Sequence, residues 1–226
     1  MEESKLSLLF QVLSKFGLGF TIIGVFLFAC AGTMDYLNAW LFLISLMIPM
    51  ACLGVYLFLK DVSTLKRRLD SKEPEKSQRV YITIMGLLFL LSFMLAGFDY
   101  RFQWSKMPIE ISLFATIIML LGYALFCIVL LQNSYASRVV AIQDEQRVIE
   151  TGLYAWVRHP MYTACLMLFF AMPIILGSYW AVIPMLVFPL FLLKRAENEE
   201  EVLLTGLPGY KEYMEKVKKR FIPFIW

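Results

Sequence analysis

Uncharged residues fall in five runs, at positions 16–34, 36–59, 80–98, 111–137 and 161–193, and about 20 apolar residues suffice for one helical crossing of a bilayer. The first four runs each predict one transmembrane helix. The fifth is too long for that: as a single helix it would measure about 50 Å against a hydrocarbon core of about 30 Å, so it is predicted to break. Gly177 and Ser178 sit at its centre beside Tyr179 and Trp180, an aromatic pair suited to a membrane interface. Pro173, Pro184 and Pro189 weaken helix continuity on both sides. The expected architecture is an all-α polytopic transmembrane bundle of about six crossings, with a broken C-terminal helical hairpin. Arms of roughly 15 residues are short for full crossings, which leaves open whether the hairpin spans the bilayer or stops inside it.

Composition agrees with this pattern. The 226 residues are 60% apolar, 15% aromatic and 17% charged, far from the balance of a soluble domain. A net charge of +3 excludes an electrostatic nucleic-acid binder. The four cysteines, Cys30, Cys52, Cys127 and Cys165, lie in apolar runs with no CxxC pair and one histidine in the chain; they read as buried hydrophobes, with no metal site. The first residues carry two acids and no small-residue cleavage pattern, so no cleaved signal peptide is expected.

The placement of Lys and Arg then sets topology, because cytosolic segments hold the excess. With six crossings and a cytosolic N-terminus, 19 of the 21 basic residues fall inside, and only Arg101 and Lys106 lie outside. Five crossings would export the seven basic residues from Lys194 onward. Both termini are therefore expected in the cytosol, with a C-terminal cytosolic helix. Segment 60–79, broken by Pro74, reads as a solvated mixed-charge loop. Segment 134–157 is the longest irregular stretch, with a turn signal at Thr151-Gly152. The chain divides into an N-terminal transmembrane region, 1–137, and a C-terminal region, 138–226, that holds the candidate chemistry.

Two polar clusters flank the hairpin. The first, GLYAWVRHPMY at 152–162, places Pro160 at a helix start and pushes His159 away from the helical conformation. The imidazole and the first-turn N–H groups then share one mouth, a setting for an anionic group; the plainer reading is an interfacial anchor. The second, KRAENEEE at 194–201, continues the last helix. There Arg195 and Glu199 are i,i+4 neighbours and Glu200 lies about 140° from Arg195. Glu197 and Glu201 read as a solvated helix end. The hairpin should return 158–162 beside 195–200, so Arg158, His159, Tyr162, Arg195, Glu199 and Glu200 would share one pocket able to grip a zwitterion. Walker, HExxH and GxSxG motifs are absent, and the sole Gly-x-Gly, Gly17-Leu18-Gly19, lies inside an apolar span.

The ordered trio VRHPMYTACL, RAENEEEVLL and GYKEYMEKVKKRFIPFIW resembles the catalytic C-terminal region of the isoprenylcysteine carboxyl methyltransferase family, which includes related phospholipid N-methyltransferases. The resemblance covers roughly 150–226. It implies S-adenosylmethionine as cofactor, bound without a Rossmann domain. By that resemblance Arg158, His159, Pro160, Tyr162 and Glu199 belong to the cofactor site, and Arg195 and Glu200 lie nearer the acceptor and the transferred methyl. It further implies a lipid-like acceptor of isoprenylcysteine carboxylate type entering from the bilayer. Ala164 stands where the family usually has glycine, and its methyl is expected to narrow the approach to the cofactor. A carboxylate acceptor needs no general base, whereas an amine needs one, for which Glu200 is the candidate. Two alternatives stay open. An NADPH-dependent sterol or steroid reductase has a similar closing region, although Met161 and Cys165 depart from its pattern. A six-span transporter or non-catalytic lipid-binding protein would carry ionisable groups within its spans, and the five runs have none.

Overall fold

The computed structural model describes residues 5–69, 73, 75–137, 139–140, 142–143 and 145–221. Of the features read above, Lys72, Pro74, Arg138 and the closing 222–226 lie outside the described residues. Every described regular element is a helix. The long helices are α1 (Lys5–Ala31), α2 (Leu37–Lys60), α4 (Lys76–Phe102) and α5 (Ile109–Gln132), with a short α3 (Val62–Leu69) between α2 and α4. The hairpin is α6 (Pro160–Ile175) and α7 (Val182–Gly206), followed by α8 (Tyr210–Lys216). Helices α1, α2, α4 and α5 are long and apolar enough to cross a membrane, and α6 is a shorter apolar helix.

The long helices follow the charge-free runs: α4 extends past its run at both ends and α1 at its start, while α5 stops at Gln132, five residues before its run ends. Thus α1 starts eleven residues before its run, bringing Lys5 and Lys15 into the helix. Segment 60–79, expected as a loop, contains α3. Its first turn is held by Asp61, whose Oδ1 accepts the Ser63 hydroxyl at 2.6 Å and the Thr64 N–H at 3.0 Å, satisfying donors that a helix start otherwise leaves open. Leu65 then packs with Leu8, Leu57 and Leu130, so α3 lies across the ends of α1, α2 and α5.

The break in the last apolar run falls at the expected place. Gly177 takes φ +75°, a left-handed conformation that glycine adopts without steric cost, and residues 176–181 form the turn between α6 and α7. Pro173 lies near the end of α6 and Pro184 in the first turn of α7, but Pro189 sits inside α7 without ending it. The turn meets the connections of the other helices. Tyr36 Oη donates to the Leu176 carbonyl, Asn38 Nδ2 to the Ile175 carbonyl, and the Ser178 hydroxyl to Asp99 near the end of α4. The hairpin therefore traverses the whole bundle, which is crossed six times. We call this end the turn end and the other, carrying α3, α8 and the described residues of 133–159, the charged end.

Packing fixes where the hairpin sits: α6 lies against α5, and α7 against α4. At Gly122 of α5 a Cβ would stand 3.0 Å from that of Met167 and 3.3 Å from the Leu168 side chain, so this glycine admits α6 closely. The core joins Leu27, Phe42, Phe93, Met119, Ile175 and Met185 from the six crossing segments. The cysteines depart from expectation: Cys52 is exposed on α2 and the other three are half-buried. Without a polar group to hide, these thiols sit as readily on an apolar outer surface as in a core.

Candidate active site

The two polar clusters meet at the charged end. Pro160 is the first residue of α6, where its missing N–H costs nothing, and His159 precedes it with φ −125° and ψ 63°, outside the helical region. The neighbouring backbone is held by the chain's end: Arg158 N–H donates to the Lys219 carbonyl at 2.9 Å and His159 N–H to the Arg220 carbonyl at 2.8 Å. The Thr163 hydroxyl reaches the Phe221 carbonyl at 2.5 Å. Phe221 stands edge-on to the rings of His159 and Tyr162.

Two constellations result. In the first, the buried Glu200 takes Arg158 Nε at 2.7 Å and His159 Nε2 at 3.0 Å on Oε1, and Arg220 Nη2 at 3.0 Å on Oε2. Burial alone would push this carboxyl up, but the hydrogen bonds from His159 and Arg158 outweigh it and hold it down at about 2. In the second, Tyr162 Oη donates to Glu199 Oε2 at 2.5 Å and accepts Arg195 Nε at 3.2 Å. Arg195 Nη2 also faces Glu73 Oε2 at 3.8 Å.

A cavity of about 440 Å³ opens against the second constellation, within the roughly 300–1,000 Å³ of small-molecule sites. Arg158, His159, Tyr162, Arg195 and Glu199 line it, together with Arg68, Asn133, Arg147 and Tyr154. Its other part is apolar and runs between α4, α6 and α7 past Met85, Phe89, Phe169, Phe188 and Leu192. Pro160 and Glu200 are not among its lining residues: Glu200 sits behind the wall, where it fixes Arg158 and His159. Ala164 is fully buried and also absent from the lining, which on α6 is formed by Met161, Tyr162, Cys165 and Phe169. Its methyl therefore does not narrow the cavity, contrary to expectation. Glu197 pairs with Lys194 at 2.8 Å and Arg220 at 3.4 Å near the surface, and Glu201 is exposed.

Several participants were not singled out from sequence. Arg220 and Phe221 lie in the closing motif, whose basic and aromatic residues gave no indication of a fold back over 158–163. Glu73, one of several acids in a mixed-charge segment, carried no signal that it would be buried.

These features define a class: a polytopic helical membrane protein with a cavity at the mouth of a helical hairpin, lined by charged residues and by apolar ones. Residues 113–205, 93 of the 226, match the model of the Isoprenylcysteine carboxyl methyltransferase (ICMT) family, and the resemblance carried by the RHPMY and RAENEEE motifs holds for this region. The match supports a membrane methyltransferase. It begins within α5, earlier than the motifs alone suggested, and ends before the closing tail. No curated protein matches the chain.

Proposed function

We propose that the protein is an integral membrane methyltransferase that uses S-adenosylmethionine and acts on an acceptor with an apolar tail and an anionic head, of the isoprenylcysteine carboxylate type. The observation that carries this reading is the two-part cavity, polar at the hairpin mouth and apolar between α4, α6 and α7. The residues present fit the cofactor. A zwitterionic amino-acid moiety calls for both charges in one place, and Glu199, Arg158, His159 and Tyr162 offer them on one wall. When bound, S-adenosylmethionine supplies a methyl group on a sulfonium, ready for displacement. In this reading Tyr162 and Glu199 hold the cofactor with His159, while Glu200 acts from behind as a positioning residue that keeps Arg158 and His159 in place. Arg195 stands where the polar part gives way to Leu192 and Phe188, and orients the acceptor's anionic head with its planar fork.

Held at about 2 and turned from the cavity, Glu200 is a poor base, which favours an acceptor that needs none. Positioning and the exclusion of water then supply most of the rate. We place the charged end in the cytosol, since 17 of the 19 described basic residues lie there, so that cofactor enters from water and acceptor from the bilayer. Within the catalytic region, 138–226, the hairpin separates the two routes. The test is methyl transfer from S-adenosylmethionine to prenylcysteine, phosphatidylethanolamine and small thiol acceptors, beside thermal shifts with S-adenosylhomocysteine and NADPH. Transfer to prenylcysteine with a shift by S-adenosylhomocysteine is expected. A shift by NADPH alone would overturn the reading.

A further inference from the structure

Arg195 is gripped by a part of the chain outside the family match. Glu73, in the connection between α3 and α4, is buried, and its carboxylate is fixed on both oxygens. Oε2 accepts the Val140 N–H at 3.2 Å and Oε1 the Glu75 N–H at 3.4 Å, while Oε2 faces Arg195 Nη2 at 3.8 Å. In the first turn of α4, the fully buried Gln78 donates to the Arg195 carbonyl at 3.1 Å and to Asn198 Oδ1 at 2.8 Å. Ser77 donates to the same Asn198 oxygen at 3.2 Å.

Arg195 is thus held at its side chain by charge and at its backbone by an amide, both from the N-terminal region. These contacts have a cost. A carboxylate out of water is unfavourable unless paired, and Gln78 Oε1 is buried without a hydrogen-bond partner among the described residues. A polar group left unsatisfied in a native structure calls for a reason, and here it accompanies the placement of one guanidinium. With Nε on Tyr162 and Nη2 facing Glu73, two nitrogens define the plane of the fork.

We propose that Glu73 is a positioning residue for Arg195, so that the N-terminal membrane region takes part in acceptor selection besides anchoring the enzyme. The inference rests on the reading of Arg195 as the acceptor-side residue. It predicts coupling: Glu73 matters only while a planar fork is present to be aimed.

The experiment is a double-mutant cycle of Glu73→Gln and Arg195→Lys in the full chain, reading kcat and KM for the methylated acceptor, with calorimetry of S-adenosylhomocysteine on each variant. Glu73→Gln should lower kcat/KM for the acceptor about tenfold and leave cofactor affinity within about twofold. In the Arg195→Lys background the same change should have almost no further effect. Equal losses in both backgrounds, or none in the wild-type background, overturn the proposal. Should Glu73→Gln fail to fold, Glu73→Asp, which keeps the charge on a shorter arm, carries the same cycle with the same criterion. A wild type that methylates no acceptor removes the reading beneath the inference, and this is seen before any variant is compared.

Discussion

The two ends of the bundle both bury polar side chains, yet they use them differently. At the turn end, Asp99 accepts the Ser105 N–H at 2.6 Å, the Ser105 hydroxyl at 2.7 Å and the Ser178 hydroxyl. Asn38 bonds Ser112 Oγ at 2.9 Å and the Ile175 carbonyl at 2.7 Å, and Ser92 donates to the Ala181 carbonyl at 2.7 Å. None of these residues borders the 440 Å³ cavity; they stitch the hairpin turn to α2, α4 and α5. At the charged end, Arg158, His159, Tyr162, Arg195 and Glu199 line that space. Buried polarity alone therefore does not mark a site; a shared cavity does, and Glu200 shows the boundary because it serves the site from behind.

That contrast can be broken by substitution. The largest expected effect is at Glu200. Glu200→Leu leaves Arg158 and His159 without their carboxylate and Arg220 with Glu197 alone, and loss of one partner of a buried ion pair costs about 3–5 kcal/mol; denaturation in detergent should show it. The acid limb sharpens the point. Because the folded carboxyl is held at about 2, below its ordinary 4.5, its contribution is complete above pH 4.5 and is lost as pH falls toward 2. Glu200→Gln should flatten that part of the stability profile.

Next comes Asp99→Ala, which strands the Ser105 and Ser178 donors at about 1–3 kcal/mol for each buried group left unsatisfied. Melting should drop while affinity for S-adenosylhomocysteine in the surviving folded protein stays as in the wild type. A parallel loss of affinity would erase the distinction between the two ends. Tyr162→Phe is expected to do the reverse. It removes the hydroxyl between Arg195 and Glu199 and should cost about 2 kcal/mol in transition-state stabilisation, roughly thirtyfold in kcat/KM, with a smaller change in melting. The smallest effect is at Ala164→Gly, worth about 1 kcal/mol of helix stability, with KM for cofactor and acceptor unchanged because the methyl faces away from the cavity.

Much of this organisation was legible in the sequence. Charge-free runs marked the crossing segments because a bilayer tolerates few charges, and the length of the fifth run together with Gly177 located the turn. Spacing along α7 put Arg195 and Glu199 on one face and turned Glu200 away, but a helical period cannot say which face meets a cavity. Glu73, Gln78 and Arg220 were not legible, since each acts through a contact between segments far apart in the chain. The helix α3 was hidden by its polarity: its apolar anchor is chiefly Leu65, and its start depends on Asp61, which also ends the preceding span. Asp99 lies one residue beyond a charge-free run, where a carboxylate normally reads as an exposed end.

The central claim is that the wall formed by His159, Tyr162 and Glu199 holds S-adenosylmethionine. Calorimetric titration of S-adenosylmethionine into the wild type, His159→Ala and Glu199→Gln tests it most directly. Loss of a charge-assisted hydrogen bond is worth roughly 1.5–3 kcal/mol, so the account predicts affinity about ten- to a hundredfold weaker in each variant. Wild-type affinity in both variants would contradict it.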